Sequence, residues 1–261
     1  MPLESAPPTG WPAPHRSVGR VLAAAFLALI SGLIAVVSVA AAVTGDVMES
    51  IGFGLAAILV GHVTAIGITG LRRPRPATEP PVTGVDDRGE RGLAFPYSRV
   101  PYYLLTVTLA LVVLLAGGFA VAAAAGGSVT GWVLAVVSGG FAVFVGWFLL
   151  TLLRLAPGII VLTPSGIYHR SLVLEHFVPW DAVVDVQARE GPRPWITVKA
   201  LPMDGTRERR HTGRLHTFEG GLLPFLVART SWLGANAVPA YQAIRFYFDH
   251  PDQRSRLRSP R

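Results

Sequence analysis

Long stretches of apolar residues separated by short polar links fill the first part of the chain, and this pattern predicts membrane-crossing helices. There are four runs, Val21–Val43, Ile51–Leu71, Tyr102–Ala125 and Gly131–Leu153. Each approaches or exceeds the roughly 20 apolar residues that a helix needs to cross about 30 Å of hydrocarbon. After Arg154 the rhythm changes to short segments with turn residues between them, which predicts a β-rich domain. Gly158–Leu162 reads as a strand, Thr163–Gly166 as a turn and Ile167–Leu174 as the return strand. Glu175–Trp180, Ala182–Arg189 and Trp195–Leu201 follow as further strands, and Thr206–Leu215 as a more polar one. Near Pro239–His250 the spacing returns to three and four, placing Tyr241, Ile244, Tyr247 and Phe248 on one helical face, with a short final helix toward Leu257.

The polar positions divide the chain. Residues 1–17 and the 72–99 link combine many prolines with charges and too few apolar residues to offset chain entropy, so they read as a disordered tail and an unstructured linker. The expected organisation is therefore a tail over 1–17, a four-helix transmembrane domain over 18–156 containing the 72–99 linker, and a separate domain over 157–261.

Charge adds an orientation. Arg16 and Arg20 precede the first run, six arginines from Arg72 to Arg99 lie between runs two and three, and Arg154 closes run four. The other two links carry only Asp46 and Glu49, or no charge. Basic residues in short loops stay on the cytoplasmic side, so both termini are expected in the cytoplasm and the protein in the inner (plasma) membrane. A cleavable signal peptide is the rival reading of the first run. That run is long for one, and its removal would put the arginine-rich link outside.

Composition narrows the chemistry. The chain is 51% hydrophobic, with net charge +7 and pI near 10.5. In a membrane protein this balance points to anionic head groups rather than nucleic acid, and no compact DNA-reading motif is present. Cysteine is absent, which excludes disulfides, thiolate nucleophiles and cysteine metal sites. The basic segment Arg207, Arg209, Arg210, His211, Arg214, His216 is the candidate lipid-binding patch through its four arginines, and a charged sheet edge is the plainer reading. His62 is the one ionisable residue well inside a run, most simply neutral and hydrogen-bonded to a neighbouring helix. Gly61, Gly67, Gly70, Gly139 and Gly140 permit close helix approach, within one chain or in a homo-oligomer. Trp11, Tyr97, Tyr102, Tyr103, Trp132 and Trp147 include candidate interface markers, whereas Trp180, Trp195 and Trp232 read as packing in the second domain. No zinc-type histidine pair, phosphate loop or nucleophile elbow occurs, so neither catalysis nor a cofactor or metal is expected.

Three phrases carry a resemblance. Ile160-Val161-Leu162-Thr163-Pro164-Ser165-Gly166-Ile167, Val178-Pro179-Trp180-Asp181-Ala182-Val183 and the closing Tyr241-Gln242-Ala243-Ile244-Arg245-Phe246-Tyr247-Phe248-Asp249-His250-Pro251 resemble bacterial pleckstrin-homology-like (PH-like) domains of actinobacterial membrane proteins, over about 157–257. The resemblance implies an antiparallel β-barrel of roughly seven strands capped by a C-terminal helix and used for binding. The first turn, Thr163–Gly166, has no Lys or Arg, so phosphoinositide recognition does not carry over. The expectation is thus an α-helical four-span membrane bundle followed by an α+β PH-like domain. It would be a non-catalytic scaffold presenting that domain to a protein partner or an anionic lipid surface. The alternative is a small transporter or channel-like bundle regulated by the domain.

Overall fold

A computed structural model describes residues 11–13, 17–72, 82–155, 157–191, 193–211 and 225–258. The chain divides into two compact units, one formed by Arg16–Thr69 with Val100–Arg154 and the other by Met1–His15, Gly70–Arg99 and Leu155–Arg261.

The first unit contains α1 (Val18–Thr44), α2 (Val47–Thr69), α3 (Arg99–Ala125, from Val100) and α4 (Val129–Leu155, to Arg154). All four helices are long and apolar enough to cross a membrane. Leu22, Phe26, Leu29, Leu33 and Val36 of α1 are each more than half exposed, a surface that water does not tolerate and lipid does. Ser17 caps α1, and Gly45, at φ 86°, ends it by returning its N–H to the Ala41 and Ala42 carbonyls. Asp46 then accepts the Glu49 N–H at the start of α2. Between α1 and α2, Ser31 Oγ donates to the Ala57 carbonyl at 2.8 Å and Ser38 Oγ to that of Ser50 at 2.7 Å. Gly54 and Gly61 give these serines room. Between α3 and α4, Gly139 faces Ala120, and the Tyr102 hydroxyl donates to the Leu152 carbonyl at 3.3 Å. Gly67 and Gly140 face open space and mediate no such approach.

Among the described residues the second unit carries nine strands: β1 (Val82–Val85), β2 (Arg91–Pro96), β3 (Ile159–Leu162), β4 (Gly166–Arg170), β5 (Leu174–Pro179), β6 (Val183–Arg189), β7 (Trp195–Ala200), β8 (Arg207–Arg210) and β9 (Leu226–Arg229). Six form one antiparallel sheet in the order β1-β2-β3-β4-β5-β8, and three form another, β6-β7-β9. Inward residues such as Phe95, Ile160, Ile167, Val178, Val186, Ile196, Val198 and Leu226 share a core with α6 (Ala237–Asp249), which buries Tyr241, Ile244 and Tyr247. A four-residue helix, α5 (Thr230–Leu233), precedes α6, and a 3-10 turn over Pro251–Arg258 buries Leu257.

Several expectations change. The 72–99 link is not an unstructured linker, because its 82–96 portion supplies β1 and β2, and β2 pairs with β3 from Leu93↔Leu162 to Pro96↔Ile159. The second unit is therefore assembled from both sides of α3 and α4, not from 157–261 alone. The N-terminal tail likewise contributes Trp11, buried and 5.3 Å from the Tyr241 ring; residues 1–10 and 14–16 lie outside the described residues. Ile167–Leu174 is not one strand. Ser171 interrupts it, its N–H reaching the Leu174 carbonyl and its Oγ accepting from the Leu174 N–H. No barrel closure is seen either: among the described residues no ladder joins the two sheets. The 3-10 turn Trp180–Ala182 and the register shift at Val183/Asp185 redirect the chain between β5 and β6. The Thr163–Gly166 turn stands as expected, held by the Trp180 indole N–H donating to the Thr163 carbonyl at 2.8 Å.

Candidate functional site

The six-stranded sheet has two distinct ends. At one, the chain arrives from α4 into Ile159 and leaves from Pro96 toward α3; the turns Asp86–Glu90 and Thr163–Gly166 lie at the other. Register places the basic strand on this frame: Phe177 opposes Arg207, Glu175 opposes Arg209, and Leu174 opposes Arg210. His211 continues the ladder, its N–H donating to the Val173 carbonyl at 3.0 Å. Arg209, Arg210 and His211 therefore lie at the end where the chain joins α3 and α4, together with Arg170, which pairs with Ile159 through β3.

The predicted lipid-binding arginines separate into different environments. Arg207 is an internal clamp. Its Nε and Nη2 donate to the two Asp87 carboxylate oxygens at 2.9 and 2.5 Å, and Nη2 lies 3.8 Å from Asp86. Its guanidinium covers the Phe177 ring at 3.8 Å. The hydrogen bond from Arg207 holds the Asp87 carboxyl below the usual carboxylate range. Asp86 in turn fixes the β1–β2 turn by accepting the Arg88 and Glu90 N–H groups, both at 2.8 Å. The outer face beneath, Ala94, Val161, Tyr168 and Phe177, is thereby closed to solvent. Arg210 pairs with Glu208. Arg209 is exposed and makes no ion pair among the described residues. Arg214 and His216 lie outside the described residues.

Beside the chain entry, on the inner face, is a polar cluster that sequence reading missed. The Tyr97 hydroxyl and His169 Nε2 share a hydrogen bond at 2.6 Å, and His169 sits directly opposite His176 on the neighbouring strand. Burial, with His176 beside it, pushes His169 down to about 3. Burial pushes His176 down to about 4 against the opposing pull of Glu208. Tyr97 also stacks on Trp232, and the Ser98 N–H donates to the Trp232 carbonyl at 2.6 Å. Tyr97 is thus a core residue of the second unit, as is Trp11, and neither marks a membrane interface. The alternation of His169 with Ile167 in β4 was the available signal, since both face inward.

Outside the three-stranded sheet lies a second feature, an open groove of about 290 Å³ lined by Trp195, Thr197 and Lys199 of β7, Val227 of β9, and Phe225, Arg189 and Glu190. Its lining is mostly apolar. Trp195 therefore faces this groove rather than the core. Lys199 is held at 3.3 Å by Asp185, whereas Arg189 makes no ion pair among the described residues.

His62, on α2, sits apart from all of these. Its Nδ1 lies 2.9 Å from the Ile58 carbonyl one turn earlier, and its ring is 6.3 Å from that of Tyr103. Its hydrogen bond is thus made within its own helix rather than to a neighbouring one. No family model, no curated protein and no solved structure matches this chain.

Proposed function

We propose that this is a non-catalytic, membrane-anchored binding protein of the inner membrane, with both termini cytoplasmic, whose two-sheet domain is a PH-like module resting on the anionic leaflet. The observation that carries the reading is the register of β8, which puts exposed Arg209, with Arg210 and Arg170, at the sheet end joined by a few residues to α3 and α4. Each arginine near an anionic surface contributes about 1 kcal/mol. With Arg207 held by Asp87, and Arg210 shared with Glu208, the attraction is small, on the order of 1–2 kcal/mol. A tethered domain needs no more, because covalent attachment to the spans keeps its effective concentration at the surface high. The burial of α6 residues in a core to which both sheets contribute supports the PH-like comparison.

The test uses the absence of cysteine, which makes any introduced thiol unique. Spin labels at Leu172→Cys, beside the chain entry, and at Pro164→Cys, at the opposite end, are compared in the full chain in nanodiscs with and without phosphatidylglycerol. The expected result is lipid contact at Leu172 that strengthens with phosphatidylglycerol and weakens in high salt or in R209E/R210E, with no lipid contact at Pro164. Equal behaviour of the two labels, or indifference to lipid charge, refutes the reading.

A further inference from the structure

We infer that the groove on the outer face of β6-β7-β9 holds one anionic phospholipid, with acyl carbons against Trp195, Phe225 and Val227 and the phosphodiester at Arg189. This deepens the leaflet reading above and rests on it.

Three observations support this occupant. First, the lining is of two kinds: apolar side chains from Trp195, Phe225 and Val227, and charged ones from Arg189, Lys199 and Glu190. An amphiphile matches both kinds, whereas a purely polar ligand would leave the apolar side chains wet. Second, Trp195 has Arg189 directly across on β6 and Arg229 directly across on β9. A large amphipathic ring between guanidiniums is the combination favoured where hydrocarbon meets head groups. Third, the groove lies near the route into a span. The Thr230 N–H and hydroxyl both donate to the Pro194 carbonyl, at 3.1 and 3.0 Å, beside Trp195. Two residues later, the Trp232 carbonyl accepts from Ser98, and Arg99 opens α3. The chain thus ties the Trp195 end of the sheet, through Thr230 and Trp232, to Ser98, the residue before Arg99.

The charges also limit the head group. Asp185 takes up much of the Lys199 charge, and Glu190 repels further negative charge, which leaves Arg189 as the principal cation. One guanidinium forms a bidentate pair with one phosphodiester. A singly charged head group of the phosphatidylglycerol kind fits these charges, and a polyphosphorylated one does not.

The experiment places a benzophenone amino acid at Phe225, which is 41% exposed and accepts an aromatic replacement. The full chain is photolysed in nanodiscs of phosphatidylcholine alone or mixed with phosphatidylglycerol, and adducts are identified by mass. The expected result is a phospholipid adduct enriched several-fold in phosphatidylglycerol over the bulk composition. Free glycerol phosphate should not displace it, Arg189→Lys, which keeps the charge but not the bidentate fork, should lower the enrichment, and Arg189→Gln or a groove-filling Thr197→Trp should lose it. Circular dichroism checks that each variant is folded. Adducts mirroring the bulk lipid, adducts to another copy of the chain, or displacement by glycerol phosphate each overturn the inference. If lipid contact at Leu172 persists while the Phe225 adduct is missing, this inference alone fails; if both are lost, the leaflet reading fails with it.

Discussion

Tyr97, His169 and His176 make the chain sensitive to acid. An unfolded histidine binds its proton near pH 6.5, while the folded chain withholds protonation of these two until about 3 and 4. Below about pH 6.5 the unfolded state therefore takes up protons that the folded state refuses, and stability falls as pH drops toward 4, by up to about 1.4 kcal/mol per pH unit for each histidine. The Asp87 carboxyl acts in the same direction at lower pH, because its folded value is depressed. Thermal midpoints across this window should decline with acid, with a shallower slope in His176→Asn; a flat profile would contradict the burial of the pair. His62 should behave differently. Its hydrogen bond lies within its own helix, so His62→Leu should change the unfolding free energy by less than about 1 kcal/mol. An ion or proton flux that this substitution abolished would instead revive the transporter alternative.

At the scale of elements, the β1–β2 hairpin depends on two close approaches. A Cβ on Gly92 would sit 2.1 Å from the Leu162 carbonyl oxygen, and one on Gly84 would sit 2.6 Å from the Ala94 Cβ. Gly92→Ala should therefore force β2 away from β3 at a cost of about 1–3 kcal/mol or more. Gly140→Ala, which meets open space on α4, should cost nothing. Arg207→Ala removes a bidentate contact and the cover over Phe177. Because both side chains are partly exposed, the expected loss is about 1 kcal/mol. Hydrogen exchange should show it as faster amide exchange over 82–96, and a double-mutant cycle with Asp87→Asn would assign it to the pair. These same contacts explain what the sequence could and could not reveal. The spans were legible because their apolar runs are local, and the Thr163–Gly166 hairpin because its turn chemistry is local. The hairpin at 82–96 was not, because Asp86, Asp87, Arg88, Glu90 and Arg91 dominate its composition and its pairing partner lies beyond two spans. Arg207 looked like a free cation for the same reason: Asp87 stands 120 positions earlier in the chain. Arg209 is exposed, as a charged sheet edge would be, although it stands opposite Glu175, 34 positions earlier in the chain.

In the whole molecule, α3 and α4 are an insertion between two adjacent strands. β2 ends at Pro96, three residues before Arg99; β3 begins at Ile159, four residues after Leu155; and Pro96 pairs with Ile159 in the ladder. Synthesis must therefore proceed in a fixed order. When the ribosome has made β1 and β2, the strand that completes their pairing does not yet exist, and two apolar segments must be produced and housed before it does. Until then the β2 edge, with Phe95 and Tyr97 beside it, is an exposed and sticky surface. The sheet can close only when the ends of both later segments emerge side by side. Completion of the sheet thus waits on the synthesis of α3 and α4, whose far end delivers the strand that β2 lacks.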